Sequence, residues 1–129
     1  MNKLFILLLM IFCHIADDFY LQGWLAQAKQ KSYWEKNAPD DLYKNDYKWA
    51  LFIHSFSWTF MVFLPVAAFM YKFNIDYNFM IMFFINLCYH MGVDNLKANE
   101  KLINLIQDQL MHFGQIILTF MYFIVATNI

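Results

Sequence analysis

Residues 49–71, "WALFIHSFSWTFMVFLPVAAFMY", contain no Asp, Glu, Lys or Arg. A bilayer core about 30 Å thick takes about 20 apolar residues per helix, so this run is long enough to cross one. Three more apolar runs cover residues 4–16, 77–93 and 110–127. The third and fourth are just long enough to span. The first spans only if its helix continues past Asp18 with a polar face turned inward. Hydrophobic residues make up 61% of the chain and charged residues 15%. A soluble domain of 129 residues has too little interior to hide that much apolar surface. The expectation is one all-α domain over residues 1–129, an integral membrane four-helix bundle of up-down topology. Its helices lie near 4–28, 49–71, 77–93 and 102–127.

Lys3 ahead of an apolar run imitates a secretory signal. No small-x-small cleavage site follows it, and Phe12 before Cys13 spoils a lipoprotein-type site. The segment is therefore read as a retained first helix. Cys13 and Cys88 stand alone in apolar runs and read as buried filler. Net charge is −1 and all nine basic residues are Lys, so neither a basic field nor arginine forks exist for nucleic acid.

The lysines are unevenly placed. Lys29, Lys31, Lys36, Lys44 and Lys48 lie in the first polar connection, and Lys97 and Lys101 in the second. Only Lys3 and Lys72 fall on the opposite side. The positive-inside rule then puts both connections in the cytoplasm and both termini outside. Leu21, Trp24, Leu25 and Ala28, and Leu102, Ile103, Ile106 and Leu110, recur at helical spacing. These read as short amphipathic helices at the interface, one in each connection. Trp34, Tyr47 and Trp49 suit an aromatic belt, Pro65 a kink, and Gly92 and Gly114 close packing near helix ends.

Four passes place His14, His54, His90 and His112 at one level, on the side of the lysine-rich connections. Three of them have an acid one helical turn away: His14 with Asp18, His90 with Asp94, and His112 with Asp108. Gln22 continues the His14–Asp18 face, while Asp17 faces away and is expected to be solvated. Imidazole with carboxylate suits Zn, Mn or Fe, and bundles hold such ligands on facing helices. His14, Asp18, His54, His90, Asp94, Asp108 and His112 form the ligand pool. Seven candidates exceed one tetrahedral site and leave room for a second ion. Asp18 and Asp94 are candidate bases, and Gln22, Gln109, Lys29 and Lys97 would orient substrate. Taken singly, a membrane histidine is more often a buried hydrogen-bonder, and a lysine there an ordinary cytoplasmic-side charge. Jointly, intramembrane ionisable groups mark a functional site.

"HIADDFYLQ" with "WLAQAK", His54, "YHMGVDNLK" and "DQLMH" together resemble a bacterial and phage membrane-protein family, domain of unknown function 3307. The pattern is H-x-x-x-D-F-x-x-Q, a downstream Lys, an isolated His, H-x-x-x-D-x-x-K and D-Q-x-x-H. His14, Asp18, Phe19, Gln22, Lys29, His54, His90, Asp94, Lys97, Asp108, Gln109 and His112 match it, over nearly the whole chain. The resemblance implies a bacterial inner membrane and brings no activity with it. The chain is also similar to a broader group of inner-membrane proteins described, by analogy, as metal-dependent hydrolases.

Three functions stay open. A metal-dependent hydrolase would attack a phosphorylated amphiphile presented by the lipid bilayer. A proton or cation conductor would use the same residues as a relay and would need a homo-oligomer to line its path. A phage-type interaction protein would use them only as structure.

Overall fold

The computed structural model describes residues 2–127. It is all-α: α1 (Lys3–Ile15), a π-helical turn (Ala16–Leu21), α2 (Leu25–Ala28), α3 (Lys31–Asn37), a 3-10 turn (Asp41–Tyr43), α4 (Asp46–Phe69), α5 (Tyr77–Ala98) and α6 (Leu105–Ala126). Four helical stretches are long and apolar enough to cross a membrane: Lys3–Leu21, Asp41–Phe69, Tyr77–Ala98 and Leu105–Ala126. They pack up-down, as expected of a membrane four-helix bundle.

The central helix is α4, packed against both α1 and α5, while α6 closes the bundle against α1 and α5. In its most apolar stretch α4 is 61% buried, against 28–33% for the other three, so it alone is enclosed by its neighbours. Its 24 residues reach about 36 Å, enough for the hydrocarbon core. The helix runs unbroken through Pro65.

Helix ends follow local chemistry. Asp76 accepts from the Phe79 N–H to start α5. Asn104 and Gln107 form a reciprocal capping box at the start of α6. Residues 99–104 are not helical, so the amphipathic helix expected in the second connection does not form separately. Leu102 lies in that loop, Ile106 and Leu110 on α6, and all three are exposed. Conversely, α5 continues five residues past the apolar run, to Ala98.

The first connection does fold as short helices. Trp34 donates its indole N–H to the Ala28 carbonyl at 2.7 Å, and Trp24 donates to the Tyr33 hydroxyl at 3.0 Å. Trp24, Tyr33 and Trp34 meet edge to face. Asn99, just past α5, accepts from the Lys31 backbone N–H at 2.7 Å and donates to the Lys29 carbonyl at 3.1 Å. That clamp fixes Lys29 against the bundle.

Two sequence expectations fail here. The first helix is not continuous over 4–28. It loosens into the π turn and ends at Gly23, whose φ of +52° is left-handed and suits a residue without Cβ. Neither Gly92 nor Gly114 permits a close approach, since a Cβ at either position would meet nothing within 4 Å.

Candidate metal centre

The two ends of the bundle differ in kind. Toward the termini and the α4–α5 turn the interior is apolar: Ile6, Met10, Val62, Phe63, Val66, Phe79 and Phe123 form one cluster. Toward the long connections it is polar. His14, Asp17, Asp18, Lys29, His54, His90, Asp94, Asp108 and His112 are all buried there. Burying so many ionisable groups is tolerated only where each finds an opposite charge, a donor or a cation.

The π turn after α1 contributes two acids to the interior. Its wider turn is closed by the Gln22 N–H donating to the Asp17 carbonyl at 3.1 Å, a span of five residues. Each residue then advances less around the axis than in an α-helix, and neighbours 17 and 18 both face inward. Asp18 Oδ1 lies 3.4 Å from His54 Nε2. Asp17, expected in solvent, is instead only 1% exposed and accepts from the Ser57 hydroxyl at 2.6 Å. Gln22 turns back to donate to the Asp18 carbonyl and does not reach the centre.

Asp94 on α5 is the hub. Its Oδ2 lies 2.6 Å from Lys29 Nζ and 3.0 Å from His54 Nε2. Its Oδ1 lies 3.1 Å from His112 Nε2 and 3.7 Å from His90 Nε2. His54 and His90 point their Nε2 atoms at each other, 3.4 Å apart. Asp108 on α6 pairs with Lys97 Nζ at 2.6 Å and lies 3.4 Å from His112 Nε2. Both lysines expected beside the site thus hold carboxylates of it.

Two sets of ligand atoms lie within 4.8 Å of one another: Asp18, His54, His90 and Asp94, and separately Asp18, Asp108 and His112. The first set fits a divalent ion. A tetrahedral ion with Zn–N and Zn–O bonds near 2.1 Å holds its ligand atoms roughly 3.4 Å apart. Three of the six edges meet at His54 Nε2, which lies 3.0 Å from Asp94 Oδ2, 3.4 Å from Asp18 Oδ1 and 3.4 Å from His90 Nε2. The donor chemistry agrees. Imidazole nitrogens and carboxylate oxygens converge there, a donor set that suits a divalent ion.

His14 belongs to neither set. The Trp58 indole N–H donates to its Nδ1 at 2.7 Å, and its Nε2 meets Gln109 Oε1 at 3.0 Å. An indole nitrogen only donates, so His14 Nδ1 accepts and its Nε2 carries the proton. Gln109 Oε1 then accepts, and its amide donates to Asp18 at 2.9 Å and to Asp108 at 3.1 Å. The chain from Trp58 through His14 to Gln109 has one direction. It joins the two ligand sets at Asp18 and Asp108.

Trp58, Asp17 and Ser57 are the site residues that sequence reasoning passed over. Trp58 stacks on His90 at 4.0 Å and 15°, and His90 stacks on His112 at 4.2 Å and 30°. The Nδ1 atoms of His54, His90 and His112 have no hydrogen-bond partner among the described residues. Ligating histidines are usually aimed through that nitrogen. Here ring stacking on Trp58 orients His90, and through it His112. One signal for Trp58 was available: it lies one turn after His54 inside a spanning helix, where a buried indole N–H needs an acceptor.

Gln115, three residues after His112, serves a different cluster. It donates to the Asn86 side chain at 2.9 Å, and the Thr119 hydroxyl donates to the same oxygen at 2.8 Å. Cys13 and Cys88 are free thiols, and Cys88 is exposed on the bundle surface rather than buried.

A family model described as "Protein of unknown function (DUF3307)" matches residues 4–129. No curated protein and no solved structure matches the sequence.

Proposed function

The chain belongs to this family of unknown function, and from its own geometry we propose that it is a membrane-embedded, metal-dependent hydrolase acting near the bilayer surface. Asp18, His54, His90 and Asp94 would hold a divalent ion such as Zn, Mn or Fe. The convergence of one ligand atom from each within 4.8 Å, with His54 Nε2 at 3.0–3.4 Å from the other three, carries the reading. When bound, such an ion lowers the pKa of a water ligand and polarises an ester or phosphoester oxygen.

The protein's own side chains supply binding and orientation. Lys29 keeps Asp94 aimed inward, and Gln109 grips Asp18 from the other side. Lys97 and Gln109 are the partly exposed members of the cluster, so an anionic headgroup would approach past them. The Lys97 ammonium suits a phosphate. The lysine asymmetry of the connections supports a cytoplasmic position for this end of the bundle in a bacterial inner membrane. The substrate class is then a phosphorylated amphiphile within the leaflet.

Conduction is less supported. Beyond Trp58 the interior is filled by Met10, Val62, Phe63, Val66, Ile116 and Phe123, and a relay within one copy would end at that plug.

Elemental analysis of the detergent-purified chain should find at least about one equivalent of transition metal, lost in His90→Ala. Hydrolysis of a chromogenic phosphodiester and of phospholipid vesicles should follow metal content. Metal below about a tenth of an equivalent, unchanged in His90→Ala, contradicts the metal reading. Metal without hydrolysis of either substrate contradicts the hydrolase reading alone.

A further inference from the structure

The four-residue set leaves the acceptors of α6 unexplained. Asp108 is fully buried, and its Oδ1 has no hydrogen-bond donor among the described residues. That oxygen lies 3.4 Å from His112 Nε2. The other oxygen, Oδ2, takes the Lys97 ammonium at 2.6 Å. A buried, unpaired carboxylate oxygen beside an imidazole nitrogen calls for a donor or a cation.

Asp18 joins these two residues. Ligand atoms of Asp18, Asp108 and His112 lie within 4.8 Å of one another, and Asp18 also belongs to the first set. Its Oδ1 faces His54 at 3.4 Å, while its Oδ2 turns to the α6 side, toward Gln109 at 2.9 Å. One carboxylate oxygen toward each set is the arrangement of a bridging ligand. Paired ions in hydrolytic sites stand about 3.5–4 Å apart, a spacing that one bridging carboxylate spans.

We propose that α6 carries a second divalent-cation site, built by Asp108 and His112 and joined to the first through Asp18 as a shared carboxylate. This rests on the metal reading of the first set.

Charge decides the order of filling. Asp17, Asp18, Asp94 and Asp108 are buried here with only Lys29 and Lys97 to oppose them. With neutral imidazoles, two negative charges remain, and one divalent ion cancels them. A second ion brings the sum to +2, and the departure of one lysine lowers it to +1. Lys29 is sealed in, with its side chain 6% exposed and its backbone clamped by Asn99. The Lys97 side chain is 26% exposed and is free to swing outward. The second ion therefore enters by displacing Lys97 from Asp108, binds more weakly than the first and exchanges faster.

Mn²⁺ titration of the detergent-purified full chain, followed by electron paramagnetic resonance, tests this. Wild type should take two equivalents, the second at least about tenfold weaker, and show a spin-coupled spectrum when full. Asp108→Asn should keep one equivalent with an uncoupled spectrum. Lys97→Gln should tighten the second step about tenfold, a gain that misfolding does not produce. Saturation of wild type at one equivalent, two equivalents in Asp108→Asn, or an unchanged second step in Lys97→Gln overturns the second site and leaves the first standing. No binding at all in wild type overturns both.

Discussion

The two halves of this bundle solve the same packing problem with opposite materials. In the half near the α4–α5 turn, Phe63, Phe79, Tyr71 and Phe123 meet mainly edge to face, with ring centroids 5.3–5.7 Å apart. In the other half, Trp58, His90 and His112 stack face to face, and carboxylates from the π turn, α5 and α6 lie close to the histidines. Apolar packing is short-ranged and tolerates substitution of similar volume. A buried polar cluster is all-or-none, because each unpaired member is penalised in a low dielectric. The apolar half therefore holds the helices together by packing, whereas the polar half depends on each member finding its partner.

Damage to the polar half should be the more severe. Asp94→Ala strips the partner from Lys29 and from two imidazoles. Loss of one partner of a buried ion pair costs about 3–5 kcal/mol, so metal binding should vanish and thermal stability in detergent fall sharply. Calorimetry with and without added Zn²⁺ checks both at once. Metal binding that survives Asp94→Ala would dissolve the distinction between the halves.

Phe123→Ala makes the reciprocal test. It opens a cavity in the apolar cluster and should cost about 3 kcal/mol of stability. Metal affinity, measured by competition with a chelator dye, should stay within about twofold, because additivity holds for sites that share no partner. A large loss of affinity would show that the apolar half also shapes the site.

Trp58→Phe separates function from packing at the boundary. An aromatic ring is kept, but it is smaller than the indole and the N–H that sets the direction of the His14–Gln109 chain is lost. Metal affinity should fall about 10–100-fold, with a stability loss of about 1–3 kcal/mol from the void and the unpaired His14 nitrogen. If the double variant with Gln109→Ala loses no more than the single ones, the three residues act as one unit. Independent losses would mean that Trp58 merely fills space.

The smallest effect belongs to the second polar cluster. Thr119→Val removes one bond to Asn86. Interhelical hydrogen bonds in bilayers average about 0.6 kcal/mol, so stability should barely move and metal affinity should not move at all.

The spacing of His and Asp made much of this site legible. His90 and Asp94, and Asp108 and His112, are one turn apart at helix ends, and four passes put those ends at one level. Two features were not legible. Helical spacing assumes a rotation of 100° per residue, and the π turn at Ala16–Leu21 breaks that assumption, which is why Asp17 is buried. Likewise His14 shares the spacing of the other His–Asp pairs, yet Trp58, an ordinary membrane aromatic by sequence, donates to its Nδ1. Spacing shows which residues share a face. It does not show which atom of a side chain is already taken.

X-ray absorption at the Zn edge, on the loaded full chain, tests the central claim most directly. An ion among Asp18, His54, His90 and Asp94 should show imidazole scattering at about 2.0–2.1 Å with oxygen in the same shell, and His54→Ala should weaken the imidazole part. A shell of oxygen alone, sulfur at about 2.3 Å, or a spectrum unchanged in His54→Ala would contradict it.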